Sequence, residues 1–525
     1  MTDAVVIGSG PNGLVAAILL ADAGWDVVVL EANHEPGGAV RSGEVTAPGF
    51  SSDLFSAFYP LGAASPVLSS LGLDAHGLRW VHAPDVLAHA RPGEPAAVLS
   101  RDVARTAASL EAATPGDGDA WRELAASFEA IGDQFIAAMF GPFPPVRAGA
   151  RLAARLGPSG ALDFGRLAVL PVRRLVEERF AGEAAQLLVT GNALHADISP
   201  EGAGSGLLGW LMAGLGQRIG FPVPMGGAGE LTAALVSRLK AAGGRIECGV
   251  RVARVIVRQG RAVGVKTSDG SEIDANKAVL ADVDAVALYR ELVGPEFLPV
   301  RVVDALDRFH RGPATIKVDW ALSSPIPWTD ASVAPAGTVH LGDSMAEISM
   351  TAAQIAAGYT PSRPFTLLGQ MTTTDPTRSP AGTEPARAYA HAPAAPIGDA
   401  GGDDIVGPWD EESVAAFVRR MEARVEAHAP GFGERVLARH IFSPARLTGE
   451  NANLVDGDLS GGTAQLHQQL VFRPVPGLAR PETPVRGLYL ASASAHPGPG
   501  VHGVCGSNAA RAALLHARIP RFRRG

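Results

Sequence analysis

The chain has 525 residues, of which 46% are hydrophobic, with 62 glycines, 40 prolines and a net charge of −8, so it is long enough for two domains with a large core. The acidic balance gives no reason to expect nucleic acid as a partner. The two cysteines, Cys248 and Cys505, exclude a disulfide framework and a CxxC redox pair, and no residue set suggests a metal site.

The first predicted element is a strand from Ala4 that runs into a glycine-rich turn. The turn consists of Gly8, Ser9, Gly10, Pro11, Asn12 and Gly13. Gly8 permits the tight turn, Gly10 leaves room for a pyrophosphate to approach the backbone, and Gly13 lets the next helix pack closely on the sheet. The helix predicted over Leu14 to Gly24 would direct its first N–H groups at the phosphates.

The second predicted strand, Asp26 to Leu30, is followed by an acid, Glu31, and by Ala32. We expect Glu31 to accept hydrogen bonds from the adenosine ribose, with Ala32 beside it, and an acid at this position disfavours the 2′-phosphate of NADP. A glycine-rich turn alone can be a purely structural connection. Strand, turn, helix, strand and acid in this order instead predict a bound adenine dinucleotide.

A second glycine pair follows the acid: Gly37 and Gly38 precede Arg41 and Ser42. This segment resembles the glycine-glycine-arginine motif of flavoproteins of the amine oxidase and phytoene desaturase type. The resemblance implies that the pocket holds FAD rather than NAD, with these four residues among those that bind it. The plain alternative is a Pro-Gly-Gly surface loop.

The middle of the chain alternates between helical and strand patterns. Residues 104–215 are rich in Ala, Leu and Arg at helical spacing, and a glycine-rich turn near Gly226 then leads into a helix from Leu231. Strands are predicted over Arg245 to Arg258 and Ala262 to Ser268, with a hairpin turn at Asp269-Gly270. The resemblance implies that the backbone of Val252 meets the adenine, although a surface hairpin would have a similar sequence.

The C-terminal region contains another strand, glycine-dense turn and helix. It runs from Gly487 to Ala510 and is similar to the closing motif of phytoene desaturase-like oxidoreductases. In those proteins the turn lies along the flavin, which implies cofactor-binding roles for Ser494, Gly500, Val501 and Gly503. Cys505 is expected to be a small buried residue.

The resemblance spans nearly the whole chain and implies an α/β fold. We expect a Rossmann-like (GR2-type) FAD-binding domain interleaved with an α+β substrate domain. The predicted FAD-binding domain comprises residues 1–75, 222–312 and 480–525. The predicted substrate domain comprises residues 76–221 and 313–479, and its helical part is followed by a mixed sheet.

Lys317 is the main catalytic candidate. The chain has only four lysines against 41 arginines, and Lys317 lies in an apolar strand. Its context is similar to that of a lysine in flavin amine oxidases, which is held at flavin N5 through a water. A buried lysine at such a position can exchange protons. The alternative is an edge-strand lysine that reaches solvent. His496 is a second candidate for proton exchange, whereas His502 and His195 are expected to be structural.

Three functions remain open. The first is hydride transfer between flavin N5 and a carbon centre of a small hydrophobic substrate, such as a polyene or isoprenoid. The second is amine oxidation with oxygen, and the third, of another class, is a non-catalytic binding protein of the GDP dissociation inhibitor type. The sequence does not distinguish oxygen, a quinone or NAD(P) as electron acceptor.

The first strand leaves no room for a signal peptide, and no apolar run reaches the roughly 18 residues of a membrane-spanning helix. A cytoplasmic location is therefore expected. The basic tail from Arg518 to Arg524 could contact a membrane surface, although a solvated tail is the favoured interpretation. The oligomeric state is not predicted.

Overall fold

A computed structural model describes residues 2–518; the remainder of the basic tail, residues 519–525, lies outside this range. The chain begins in a five-stranded parallel sheet. In spatial order its strands are Leu488–Leu490, Ala278–Ala281, Ala4–Ile7, Val27–Glu31 and Arg245–Cys248. The three inner strands are wholly buried and apolar apart from Glu31, as is typical of parallel strands covered on both faces.

Alternate side chains of the first strand pack on opposite faces of this sheet. Ala4 and Val6 contact a layer of helices, whereas Val5 and Ile7 contact a small antiparallel sheet. The helices are Pro11–Asp22, Ala228–Ala241 and Val504–Arg518. The strands of the small sheet are Val252–Arg258, Arg261–Thr267 and Glu272–Asp274.

Two predicted boundaries differ from the structure. The first helix starts at Pro11, inside the glycine turn, because proline is well suited to the first helical position. The strand predicted over Arg245 to Arg258 is interrupted at Gly249, which has a φ of +74° and sends the chain into the small sheet. The hairpin predicted at Asp269-Gly270 is confirmed by antiparallel pairing of the strands on either side of it.

A seven-stranded sheet forms the second large structural layer. In spatial order its strands are Val436–Phe442, Ala314–Leu322, Glu384–Ala392, Thr366–Gln370, Ala336–Leu341, Asp85–Arg91 and Glu94–Leu99. One face carries Ile316, Val318 and Trp320 and packs against the helix Glu411–His428. The opposite face contributes to the cavity described below.

A layer of helices lies beside the second sheet, in the region where the sequence predicted helices. Its members are Val103–Ala113, Asp117–Met139, Val146–Val169, Val172–Arg179, Glu183–Ala193 and Ser205–Arg218. Further helices are Pro60–Ala63, Pro66–Ser69, Val300–Leu306, Met345–Ala356 and Pro444–Glu450. No helix between residues 2 and 518 combines the length and the hydropathy needed to span a bilayer. The predicted α/β fold class is confirmed.

Candidate active site

A cavity of about 1150 Å³ lies where the parallel sheet, the helical layer and the seven-stranded sheet meet. The predicted site residues in its wall are Gly8, Gly10, Pro11, Asn12, Glu31, Ala32, Gly38, Val252, Lys317, Ser494, His496, Gly500 and Val501. The predicted site residues outside the wall are Gly13, Gly37, Arg41, Ser42 and Gly503. The fold therefore brings residues from both ends of the chain to one cavity.

The glycines of the first turn are required by close backbone approaches. The N–H of Gly8 donates to the carbonyl of Leu30 at 2.9 Å, and its φ of +89° lies in the left-handed region. A Cβ on Gly13 would lie 2.2 Å from the carbonyl oxygen of Gly8. Gly13 therefore allows the helix to begin against the turn, as the sequence predicted.

Glu31 is buried beside this turn and is only partly satisfied by the protein. Its Oε2 accepts hydrogen bonds from the N–H and the hydroxyl of Ser9, at 2.9 and 2.6 Å, and its Oε1 accepts one from the N–H of Asn33 at 2.8 Å. A carboxylate has about four acceptor positions, so one remains for a ribose hydroxyl. Ser9 also accepts from the N–H of Gly37 and thus links the two predicted glycine motifs.

Asp282 is a site residue that the sequence analysis missed. It follows the strand Ala278–Ala281, and its Oδ2 accepts a hydrogen bond from the N–H of Gly13 at 2.8 Å. A Cβ on Gly10 would lie 2.6 Å from the same oxygen, so Gly10 is needed by the protein itself. Burial raises the pKa of Asp282 to about 7. Its position at the carboxyl end of a parallel strand is the signal that could have identified it.

Two of the predicted binding residues outside the wall make protein contacts instead. The Arg41 guanidinium donates to the carbonyls of Gly38 and Glu450, at 3.2 and 3.1 Å. The Ser42 hydroxyl donates to Asp53 at 2.8 Å and accepts from the N–H of Gly229. These contacts hold both residues beside the wall, and their contact with the cofactor stays a prediction.

The C-terminal turn is held in place by a buried arginine. Arg473 donates to the carbonyl of Ala493 at 2.7 Å and also bonds carbonyls of residues 460–463, so it joins that loop to the turn. The Ser494 hydroxyl donates to Gly461 at 3.0 Å. Gly500 has a φ of +119°, which only glycine readily adopts.

The closing helix and the first helix touch directly. A Cβ on Gly506 would lie 1.8 Å from the carbonyl oxygen of Asn12, and one on Gly503 would lie 2.7 Å from a methyl of Val15. These approaches set the position of the C-terminal turn relative to the first turn.

His496 and His502 have different surroundings. His496 is buried in the cavity wall, its Nε2 has no hydrogen-bond partner among residues 2–518, and burial lowers its pKa to about 4. It therefore stays neutral at physiological pH. His502 Nδ1 accepts a hydrogen bond from the N–H of Val504 at 3.1 Å, at the first residue of the closing helix, so His502 has a structural partner.

Lys317 lies in an inner strand, so the edge-strand alternative is wrong. It is 2% exposed, lines the cavity, forms an ion pair with Asp319 and has its Nζ 4.7 Å from the centre of the Phe442 ring. Burial lowers the pKa of Lys317 to about 8, although Asp319 opposes the shift. Lys317 can therefore exchange a proton near neutral pH.

His195 also lines the cavity. Its Nε2 lies 3.0 Å from the Nε2 of His340, a buried histidine on the seven-stranded sheet. Burial lowers the pKa of His195 to about 4, so one neutral ring can donate to the other. This pairing gives His195 the structural partner that the sequence analysis expected.

The residues of this cavity fit FAD. One end has the first glycine turn, a helix N-terminus and a buried acid with a free acceptor position, which suit the pyrophosphate and the adenosine ribose. The C-terminal turn lies in the same wall, where glycines keep side chains out of the space. Fold and site together define a flavoprotein with a discontinuous dinucleotide site.

The chain belongs to the flavin containing amine oxidoreductase family, whose model matches residues 12–514. It is 29% identical to the pyridine nucleotide-disulfide oxidoreductase domain-containing protein 2 of Mus musculus, across 97% of this chain and 92% of that protein. It is 27% identical to a lycopene-forming phytoene desaturase of Pseudescherichia vulneris, across 98% and 99% of the two chains.

Among solved structures, the fold is similar to that of an oxidoreductase from Methanosarcina mazei. The TM-score is 0.63 at 16% identity, and the match covers 98% of this chain and 99% of that one. By its family and relatives the protein is an FAD-dependent oxidoreductase.

Proposed function

We propose that this enzyme transfers hydride between FAD and a carbon centre of a hydrophobic substrate. The observation that carries the proposal is the apolar wall that the helical layer presents to the cavity. This wall includes Phe135, Phe140, Leu152, Phe164, Leu208 and Leu211. A wall of this composition favours a substrate with a large apolar surface, because burying such a surface is the main source of its binding energy.

The named activity of a relative supports the same substrate class. The Pseudescherichia vulneris relative is a phytoene desaturase, which is a protein named for acting on a polyene precursor. When bound, FAD supplies the hydride chemistry. The chain supplies the apolar wall that excludes water and orients the reacting carbon, and a lysine, Lys317, whose Nζ can hold or release a proton at the cavity surface.

The proposal can be tested by anaerobic reduction of the bound flavin. Purified holoenzyme would be mixed with polyene, amine and fatty-acyl candidates, and the visible absorbance of the flavin followed over time. We expect bleaching with an apolar substrate and none with simple amines. Bleaching by amines alone would contradict the proposal.

Amine oxidation with oxygen is a second candidate, favoured by Lys317. The buried lysine of this chain lies in the cavity wall, as expected if it acts on the flavin side. The closing motif does not favour amine oxidation, because His496 to Gly500 contains no pair of aromatic residues that could surround an amine.

The Lys317→Met variant tests this second candidate. Lys317 acts at the flavin only if the substitution slows either reoxidation by oxygen or substrate-driven reduction. Unchanged rates of both steps in a folded, flavin-loaded variant would remove that role.

A further inference from the structure

The seven-stranded sheet carries several polar side chains into the cavity wall, among them Lys317, Arg387 and Tyr389. In the antiparallel pairing, Lys317 lies opposite Tyr389 and Asp319 lies opposite Arg387. Directly opposed residues, and residues two apart along a strand, share one face of a sheet. Lys317, Tyr389 and Arg387 all line the cavity, so this face forms a polar floor beneath the apolar helical wall.

Arg387 is a buried cation without a carboxylate partner. It is 7% exposed, and its hydrogen bonds within residues 2–518 go to two backbone carbonyls, those of Asp53 and Phe55. No carboxylate of that described range forms an ion pair with it. A guanidinium has five N–H donors, so two carbonyls leave donor capacity unused.

The nearest carboxylates are already paired with other cations. Asp319, opposite Arg387, forms an ion pair with Lys317. Asp53 forms an ion pair with Arg378 at 3.0 Å and also accepts hydrogen bonds from the Ser42 hydroxyl and a backbone N–H. The positive charge of Arg387 is therefore left unbalanced at the cavity wall, and an unpaired buried charge is costly.

Arg473 shows what a purely structural buried arginine is like in this protein. It is completely buried, lies outside the cavity wall, and donates from all three of its nitrogens to backbone carbonyls of residues 460–463 and 493. Arg387, in contrast, lines the cavity and donates to only two backbone carbonyls. That difference indicates that a ligand supplies the missing acceptor.

We propose that Arg387 binds the carboxylate end of an apolar substrate, so that the substrate is a long-chain or terpenoid carboxylic acid. The inference rests on the proposed function and names its substrate class. A carboxylate would form a bidentate pair with the guanidinium, while the hydrocarbon part would contact the helical wall. The acids of the cavity wall are Glu31, Asp282, Asp284 and Glu291, none of which lies on the seven-stranded sheet. An amine beside that sheet would meet the unpaired Arg387 and a lysine already paired with Asp319, and no acid of the sheet lines the cavity there.

The test compares three ligands of one chain length on wild-type holoenzyme. Laurate, methyl laurate and dodecylamine would be titrated by isothermal calorimetry, with perturbation of the flavin spectrum as a second signal. We expect laurate to bind at least about tenfold more tightly than the other two, because it alone offers a charged acceptor. Equal affinity for laurate and its ester, or tighter binding of the amine, would overturn the proposal.

Variants assign that preference to Arg387. Arg387→Met is expected to remove the laurate preference while keeping the affinity for methyl laurate, and Arg387→Lys to restore part of it. Arg439→Met is the matched control, since Arg439 lies on the same sheet, is 47% exposed and pairs with Glu422. Retention of the preference in folded Arg387→Met would overturn the assignment.

The outcomes separate this inference from the proposed function. If the holoenzyme preferred carboxylates but its flavin were reduced only by amines, the result would contradict the proposed function and support the carboxylate site at Arg387. A flavin reduced by hydrocarbons, in an enzyme without carboxylate preference, would overturn the site alone.

Discussion

Gly506 offers a direct test of how the two ends of the chain build one cofactor site. In Gly506→Ala the new Cβ would lie 1.8 Å from the carbonyl oxygen of Asn12, whereas an ordinary contact begins at 3.4 Å. Both partners are backbone of buried helices, so neither can rotate away, and the helix Val504–Arg518 must move off the helix Pro11–Asp22. Overpacking of this kind costs about 1–3 kcal/mol.

That cost should appear in cofactor binding, because FAD requires both turns in their native positions. A cost of about 1–3 kcal/mol corresponds to an FAD dissociation constant about 5- to 150-fold weaker. The assay is a titration of apoprotein with FAD, followed by flavin fluorescence, together with the flavin-to-protein absorbance ratio of the purified variant.

Gly165→Ala is the matched control. Gly165 lies in the helix Val146–Val169, is exposed, and has no atom within 4 Å of an added Cβ. We expect it to bind FAD normally and to gain about 0.5–1 kcal/mol of stability from helix propensity. If Gly506→Ala bound FAD as tightly as Gly165→Ala, the inferred contact between the two helices would be refuted.

Three further predictions follow from buried groups. The pKa of Asp282 is raised to about 7, and above that pH the ionised carboxylate repels the pyrophosphate, so the affinity for FAD should fall by up to about tenfold per pH unit. In FAD titrations at pH 6 and 8.5, the Asp282→Asn variant should show a weaker pH dependence than the wild type. The pKa of Lys317 is lowered to about 8, so its ammonium is present below that pH and lost above it. The rate of flavin reoxidation, measured by stopped flow, should therefore show a transition near pH 8 in the wild type and none in Lys317→Met. Arg473→Met leaves several buried carbonyls unpaired, so the free energy of unfolding should fall by about 3 kcal/mol or more, and FAD should be released at a lower temperature during thermal denaturation. Melting like that of the wild type would contradict the role of Arg473 in holding the C-terminal turn.

Local features of the site were predictable because the residues that form them are close together in the sequence. The first strand, the glycine turn and Glu31 form a βαβ unit within the first 31 residues, so the need for glycine in the turn could be inferred from that unit. The atom that a Cβ on Gly10 would meet, Oδ2 of Asp282, lies outside the unit and appears only in the structure. The C-terminal turn was identified in the same way, from a strand, a run of glycines and a helix. The helical region and the Asp269-Gly270 hairpin also follow from periodicity and turn chemistry.

Residues whose roles depend on distant partners were missed. Asp282 accepts a hydrogen bond from Gly13, which is 269 positions away, and nothing near Asp282 in the sequence indicates that contact. Arg387 resembles the many other arginines of the chain until the structure shows that its neighbouring carboxylates are occupied by Lys317 and Arg378. The burial of Lys317 depended on the order of strands in the sheet, which spacing along the chain does not reveal.

The sequence by itself therefore determined an adenine dinucleotide site, because glycines and one acid encode its backbone geometry locally. That the dinucleotide is FAD was implied by the resemblance of the segment from Gly37 to Ser42 to flavoproteins. The tertiary structure decided which ionisable groups face the cavity and which are already paired, because charge balance depends on residues that are close in space and far apart in the chain.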